Sequence, residues 1–558
     1  MGRIVSLILD DFNLLEFNFS GKTLHGANVA TEGIIGRLAR DERIEALEIF
    51  LDPGHIIQQD RIREIAISLL PPERQGKDIL RFYPLHSLPE VWANGLPRIL
   101  FCLDPERMAR ERYLRDRYAI GPTPIACDTH AMAHYQMSHF LDRYSRATPV
   151  AFDSMINISR ACMEGNKKLL AGILTPVGTP LPCRQDLIYR GVDIEEFQPA
   201  TPERKAEARR LLKLPENGCI ALYLGRMTPK SKADLMPLLR VFDQIETENE
   251  YLVLAGAEGM PGYIDELNAL GKELGIHDRL IIHSEVPTDA RSVYYAAADF
   301  FVFPGDTLQE ALGNTVLEAM ASGLATIVSH WDGMRELVAD GVTGFLIPTW
   351  MMPISDRVSA FSPFTHWNNE YLLTAQSVYV DPKHLAEKMS LLYQSVDLRT
   401  QMGAAARLAV DGKYASNKII DQYHVLWDEL EEMARKETEQ EASIRRAGAM
   451  SLAFPTPYNY LISHYPTNVI DPKTVKVQLT EYGLAVVRGN SQLTFYDETL
   501  PLIYPAVINR IYEFLTSIRN VATVAEISNA VVKLTLVEED DIRYHVALLL
   551  KRSVLQIV

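Results

Sequence analysis

Residues 299–328 read DFFVFPGDTLQEALGNTVLEAMASGLATIV, and this stretch decides the fold. Phe300 to Phe303 is a short continuous apolar run of the kind that forms a strand buried on both faces. The loop Pro304 to Gly313 comes next, and a helix starts at Asn314 or Thr315, either of which can cap it, and stops at Gly323. A second strand, Ala325 to Val328, comes at once. Strands alternating with helices build a parallel sheet covered on both faces, so the fold class is α/β. Such sheets bind ligands outside the carboxyl ends of their strands. The amides of Gly313, Asn314 and Thr315 at the helix start are therefore an expected anion site. Glu310 and Glu318 bracket the turn with seven residues between them and can both face one pocket. An isolated Glu318 would do no more than complement the helix dipole, whereas two acids around a glycine turn suit ligand hydroxyls.

The same rhythm runs outward in both directions. Upstream lie strand candidates Cys219 to Leu224, Tyr251 to Ala255 and Leu280 to His283. The first of them ends in Gly225-Arg226 followed by Lys230 and Lys232, cations at the same carboxyl edge as the anion site. Solvated loop charges are the plain alternative, but cations there can stabilise a phosphate leaving group. Before the polar stretch Ala200 to Asn217, strands at Ile4 to Leu9, Ala46 to Leu51, Ile99 to Leu103 and Pro124 to Cys127 alternate with helical patterns. Asn28 to Arg40 and Glu106 to Tyr118 are the clearest of those helices. Downstream, Trp350 to Val380 interrupts the pattern, and Lys418 to Arg446 is an amphipathic helix grading into a charged linker. Beyond Thr456 the character changes again, with strands expected at Val475 to Leu479 and Leu484 to Val487, then apolar-striped helices.

The expected domains are therefore residues 1–190, residues 191–417 with an insertion near 350–380, a crossing helix and linker at 418–446, and a small module at 466–558. The 558-residue length fits several cores rather than one, and 47% hydrophobic with 23% charged residues is an ordinary globular composition. With 56 basic and 72 acidic residues the net charge is −16, which argues against nucleic acid as a partner. No apolar run reaches the roughly 20 residues of a membrane span. Cys102, Cys127, Cys162, Cys183 and Cys219 show no paired spacing and read as reduced thiols, so a cytoplasmic location is expected.

Taken together, Gly225-Arg226 with Lys232, Ala255-Gly256, Ala298-Asp299, the Glu310 and Glu318 pair, Gly323, and Asp340 to Phe345 resemble the donor domain of family 4 retaining glycosyltransferases. Arg190 to Pro199 resembles that family's interdomain junction, and the likeness extends loosely over residues 1–440, strongly between 190 and 347. The resemblance implies a GT-B fold, two facing Rossmann-like domains. It also implies that Arg226 and Lys232 hold the donor diphosphate, Glu310 the transferred sugar and Glu318 the ribose, with Gly225, Gly313, Asn314 and Thr315 lining the donor site. In the N-terminal domain His130, next to Asp128-Thr129, resembles the histidine that reaches the donor sugar, although a lone His after a strand is usually structural. His25, Gly26 and Ala27 resemble the glycine-rich acceptor loop but lack its double glycine.

By this likeness the implied reaction is a retaining transfer from a nucleotide-diphosphate sugar to an acceptor hydroxyl, on a glycan, lipid, small molecule or peptide. No Asp-x-Asp pair stands at a suitable strand end, so neither a metal nor a cofactor is expected. A phosphorylase or epimerase on the same fold, or a catalytically silent scaffold that only binds nucleotide sugars, are the competing readings. The 466–558 module loosely resembles winged-helix-like domains that bind peptides beside peptide-modifying enzymes. That makes a peptide or protein partner one expectation and a plain stabilising or oligomerising domain the other.

Overall fold

The computed structural model describes residues 2–9, 26–51, 70, 74, 76–129, 135–145, 148–174, 183–245, 249–287, 290–449, 467–518, 520–535 and 537–558. Its contacts divide the chain into two compact units. One comprises Met1–Ile49, Ile65–Arg81 and Trp92–Leu452, and the other Phe50–Glu64, Phe82–Val91 and Ala453–Val558.

The N-terminal sheet contains β1 (Arg3–Leu9), β2 (Ile44–Leu51), β3 (Leu80–Pro84), β4 (Ile99–Cys102), β5 (Ile125–Asp128), β6 (Ser154–Asn157) and β7 (Arg184–Leu187). Their order is β3-β2-β1-β4-β5-β6-β7, and β1, β4, β5, β6 and β7 pair in parallel. The second sheet contains β8 (Cys219–Leu224), β9 (Glu250–Ala255), β10 (Leu280–His283), β11 (Phe300–Phe303), β12 (Ala325–Ser329) and β13 (Gly344–Ile347). It runs β10-β9-β8-β11-β12-β13 and is parallel throughout. In both sheets the order reverses beside the first strand, between β1 and β4 and between β8 and β11. The crevice outside those strand ends is where an open α/β sheet takes its ligands.

The strands form because their apolar runs are buried on both faces: every residue of β11 and of β12 is buried. The helix Pro105–Tyr118 shows the local logic of the connections, with Asp104 accepting from the Glu106 amide at 2.8 Å and Pro105 in the first turn. The helix Ser416–Arg435 lays Tyr423 and Trp427 against Phe101 of β4, and Arg3 of β1 donates to Glu431 at 2.9 Å. Residues 349–380 form an antiparallel pair, β14 (Thr349–Met351) with β15 (Val378–Val380), and the helices Asp356–Phe361 and Trp367–Ala375 lie between them. No helix among the described residues is long and apolar enough to cross a membrane.

In the other unit β16 (Lys476–Leu479), β17 (Val521–Thr523) and β18 (Leu555–Ile557) form an antiparallel sheet ordered β17-β16-β18. The helices Pro505–Ser517, Val524–Val532 and Glu539–Lys551 close a core around Val507, Ile511, Ile527, Val546 and Leu549. Leu484 to Val487, expected as a strand, is instead the end of the helix Glu481–Val487. Thr480 caps that helix, its hydroxyl accepting from the Gly483 amide at 2.9 Å, and a four-residue apolar run does not by itself separate strand from helix.

Candidate functional site

The site is assembled from the carboxyl ends of β8 and β11. Past Leu224 the chain turns sharply, and the Gly225 amide donates to Ala255 O at 2.9 Å. Gly256, at φ +144°, lies so close that a Cβ there would stand 2.0 Å from Gly225 O, which is why the second turn needs glycine. Tyr223 stacks on Phe303, ring centroids 5.3 Å apart, and its hydroxyl donates to Arg226 O at 3.1 Å. The backbone of Arg226 is thereby fixed at the strand end. Burial depresses the Arg226 guanidinium, and the nearby Glu310 carboxylate opposes that shift.

Lys232 and Glu310 form a direct ion pair. Expected separately, as leaving-group cation and sugar acceptor, they meet in one partly buried cluster that also includes the charge of Arg226. Of these three groups the single carboxylate balances one of the two cations, which leaves a cation to meet a diphosphate. Behind it, burial and the Asp234 carboxylate push Asp306 up to about 7, while Asp234 accepts from Tyr263 Oη at 3.0 Å.

The helix after the loop spans Asn314–Ala321, and its cap is Gly313 at φ +98°, not Asn314 or Thr315. It has no side-chain cap, and Gly313 O accepts from the Val316 amide at 3.1 Å and the Leu317 amide at 3.2 Å. The first-turn amides of Asn314 and Thr315 therefore face the crevice end of the sheet without a side-chain cap.

Glu318 has a second engagement that the sequence did not reveal. It is buried, pairs with Arg291, and accepts from Tyr295 Oη at 2.9 Å. Arg291 and Tyr295 stand four residues apart on the helix Arg291–Ala297, one turn above the other. Burial pushes the Glu318 carboxyl up and Arg291 pulls it down. The guanidinium also lies over the Phe197 ring, 5.4 Å from its centroid.

Glu336, likewise unforeseen, reaches across to the N-terminal domain. Its two oxygens accept from the amides of Arg160 and Ala161 at 2.9 Å each, and Tyr189 Oη donates to it at 2.9 Å. Those amides open the helix Arg160–Leu174, so a carboxylate of one domain ends a helix of the other. Beside this contact lies a cavity of about 410 Å³ lined by Ala161, Glu164, Lys168, Trp331, Asp332 and Arg335, among others.

His130 and His25 lie outside the described residues. Gly26 and Ala27 open the helix Gly26–Arg40. Ahead of His130 the strand end is braced: Asp128 accepts from Arg190 at 2.6 Å and from Tyr423 Oη at 2.7 Å.

Comparison with solved structures agrees with this architecture. A glycosyltransferase from Rickettsia africae ESF-5 superposes with a TM-score of 0.54 at 15% identity, covering 78% of this chain and all of that one. Anabaena HepE in complex with UDP-glucose gives 0.53 at 16% identity, covering 76% of this chain and 99% of the other. The fold is GT-B.

Within that GT-B frame, residues 204–358 match the family of Glycosyl transferases group 1 and so carry a domain of that kind. A D-inositol 3-phosphate glycosyltransferase of Xylanimonas cellulosilytica is 31% identical over 167 residues, 29% of this chain and 39% of its own. One of the same name from Salinispora tropica is 27% identical over 235 residues, 40% of this chain and 48% of its own. The chain thus spans under half the length of these two curated relatives.

Proposed function

We propose that this chain transfers a sugar from a nucleotide-diphosphate sugar to an acceptor hydroxyl with retention of anomeric configuration. The observation that carries this reading is the meeting of Arg226, Lys232 and Glu310 beside the Gly313 turn, at the switch point of the donor sheet in a GT-B fold. As the bond from sugar to phosphate breaks, its electron pair stays on the diphosphate. Arg226 and Lys232 stabilise that charge, aided by the amides of Asn314 and Thr315. The departing phosphate oxygen takes the acceptor's proton as the new bond forms on the same face. Glu310 receives a hydroxyl of the transferred sugar while orienting Lys232, and Glu318 receives the ribose hydroxyls from its Arg291 network. His130 is assigned to the donor sugar, and His25, Gly26 and Ala27 to the acceptor loop.

In this scheme the two cations take the place of a divalent metal, and no cofactor takes part. The uridine ligand named for Anabaena HepE makes UDP-glucose the first donor to try. The module at residues 466–558 is assigned to a peptide or protein partner through the edges of its three-stranded sheet. The deciding experiment is calorimetric titration with UDP, then UDP-glucose hydrolysis with and without a chelator. Donor binding with turnover that survives chelation supports the reading, and absence of both across a panel of nucleotide sugars rejects it.

A further inference from the structure

Asp332 is the residue in this crevice whose presence the fold does not explain. It stands at φ +45°, a left-handed backbone that glycine adopts freely and a side chain adopts only with strain. Its neighbours are built to hold the turn. Trp331 Nε1 donates to Thr307 O at 3.0 Å, which ties the turn to the loop bearing Glu310. Gly333 is wedged so closely that a Cβ there would stand 2.0 Å from Ala311 O and 2.9 Å from Ser159 Cβ of the opposite domain. Asp332 is held between these two anchors and lines the 410 Å³ cavity. Cys162 across the crevice and Glu310 both interact electrostatically with its carboxylate.

The cavity pairs that carboxyl with an indole whose plane is fixed by its own hydrogen bond, and with the cations Lys168 and Arg335 and the acid Glu164. None of the residues assigned to the donor lines it. A carboxyl that accepts hydroxyl hydrogens, beside an aromatic face that covers C–H groups, matches a ring carrying several hydroxyls. Burial pushes the Asp332 carboxyl up to about 7, with the Gly333 amide opposing, so near neutrality its protonated form donates to a ring hydroxyl and its ionised form accepts from one.

We propose that Asp332 is the acceptor-binding carboxyl of this chain, and that the cavity it lines holds a polyhydroxylated ring, a sugar or cyclitol, whose hydroxyl is presented to the donor. This rests on the glycosyltransferase reading for its role, but not for the binding itself.

The test uses the full chain and two variants, Asp332→Gly, which removes both the carboxyl and the strain, and Asp332→Asn, which keeps the shape. Saturation-transfer NMR with myo-inositol, D-glucose and D-inositol 3-phosphate measures the polyol. UDP calorimetry measures the donor half separately. At least one probe is expected to bind the natural chain and to bind both variants at least tenfold more weakly, while Asp332→Gly melts no lower than the natural chain. Absence of binding by all three probes, or variants that bind within twofold, overturns the proposal. Failure of UDP to bind, with polyol binding still dependent on Asp332, overturns the donor reading alone.

Discussion

Glu318→Gln separates the pairing that the structure shows for this side chain from the ribose role proposed for it. In the protein the carboxylate is buried between Arg291 and Tyr295 Oη. Removing one charge from a buried pair typically costs about 3–5 kcal/mol. Here the loss should be smaller, because the amide oxygen still accepts one hydrogen bond and Arg291 keeps Glu196 at 3.9 Å. About 2 kcal/mol is the expected cost, the range of a hydrogen bond to a charged group. At roughly 2 to 4 °C per kcal/mol, the melting temperature should fall by roughly 4 to 8 °C. If the same oxygens receive the ribose, UDP affinity should fall independently by about 10- to 100-fold. Differential scanning calorimetry and UDP titration read the two effects. Repeating both in an Arg291→Gln background should show a coupling of about 0.5–3 kcal/mol in stability. An unchanged melt and no coupling would refute the structural pairing, and unchanged UDP affinity would remove Glu318 from the donor site.

Arg226→Ala and Lys232→Ala should each lower donor turnover by about 10²- to 10³-fold, as expected when one preorganised donor to developing charge is lost. Near-normal turnover in both would remove these residues from the leaving-group site. Glu336→Ala should speed amide exchange at Arg160 and Ala161, since a helix-end acceptor contributes about 1 kcal/mol, and exchange rates that do not move would count against the cross-domain cap. His545 is fully buried, accepting from the Tyr504 amide at 2.8 Å, and burial holds its pKa below the usual value. The unfolded chain therefore binds a proton that the folded one does not. Stability of this unit should accordingly be intact above about pH 6.5 and decline as pH falls below it, by up to about 1.4 kcal/mol per pH unit. A His545→Gln variant with the same slope between about pH 7 and about pH 5 would contradict this.

Much of the second sheet and its loops could be read in the sequence because the signals are local. β11, the 304–313 loop and the helix ending before Gly323 succeed each other within 30 residues, and each is marked by an apolar run or a glycine. The partners brought in from a distance are what escaped. Arg291 is 27 residues from Glu318 and Glu336 is 176 from Arg160, and neither spacing leaves a periodic trace. The cap at Gly313 escaped for another reason: two good capping residues come directly after it, and only the left-handed backbone at the glycine decides among the three. Leu484 to Val487 was misleading because four apolar residues satisfy either periodicity, and the decisive Thr480 lies just outside the run.

The Glu336 contact has a consequence for how this chain can be recombined. The helix Arg160–Leu174 obtains one acceptor locally, since Ser159 Oγ takes the Cys162 amide at 3.0 Å, but its first two amides end on a carboxylate encoded 176 residues after Arg160. A chimera that keeps this N-terminal half and takes its donor half from another GT-B protein leaves those amides without that acceptor, unless the incoming half supplies an acid at the matching place. Exchangeability of the halves thus depends on this terminal turn as well as on the packing of Tyr423 and Trp427 against β4. A graft with Glu336 restored should order residues 160–163 where the same graft without it does not.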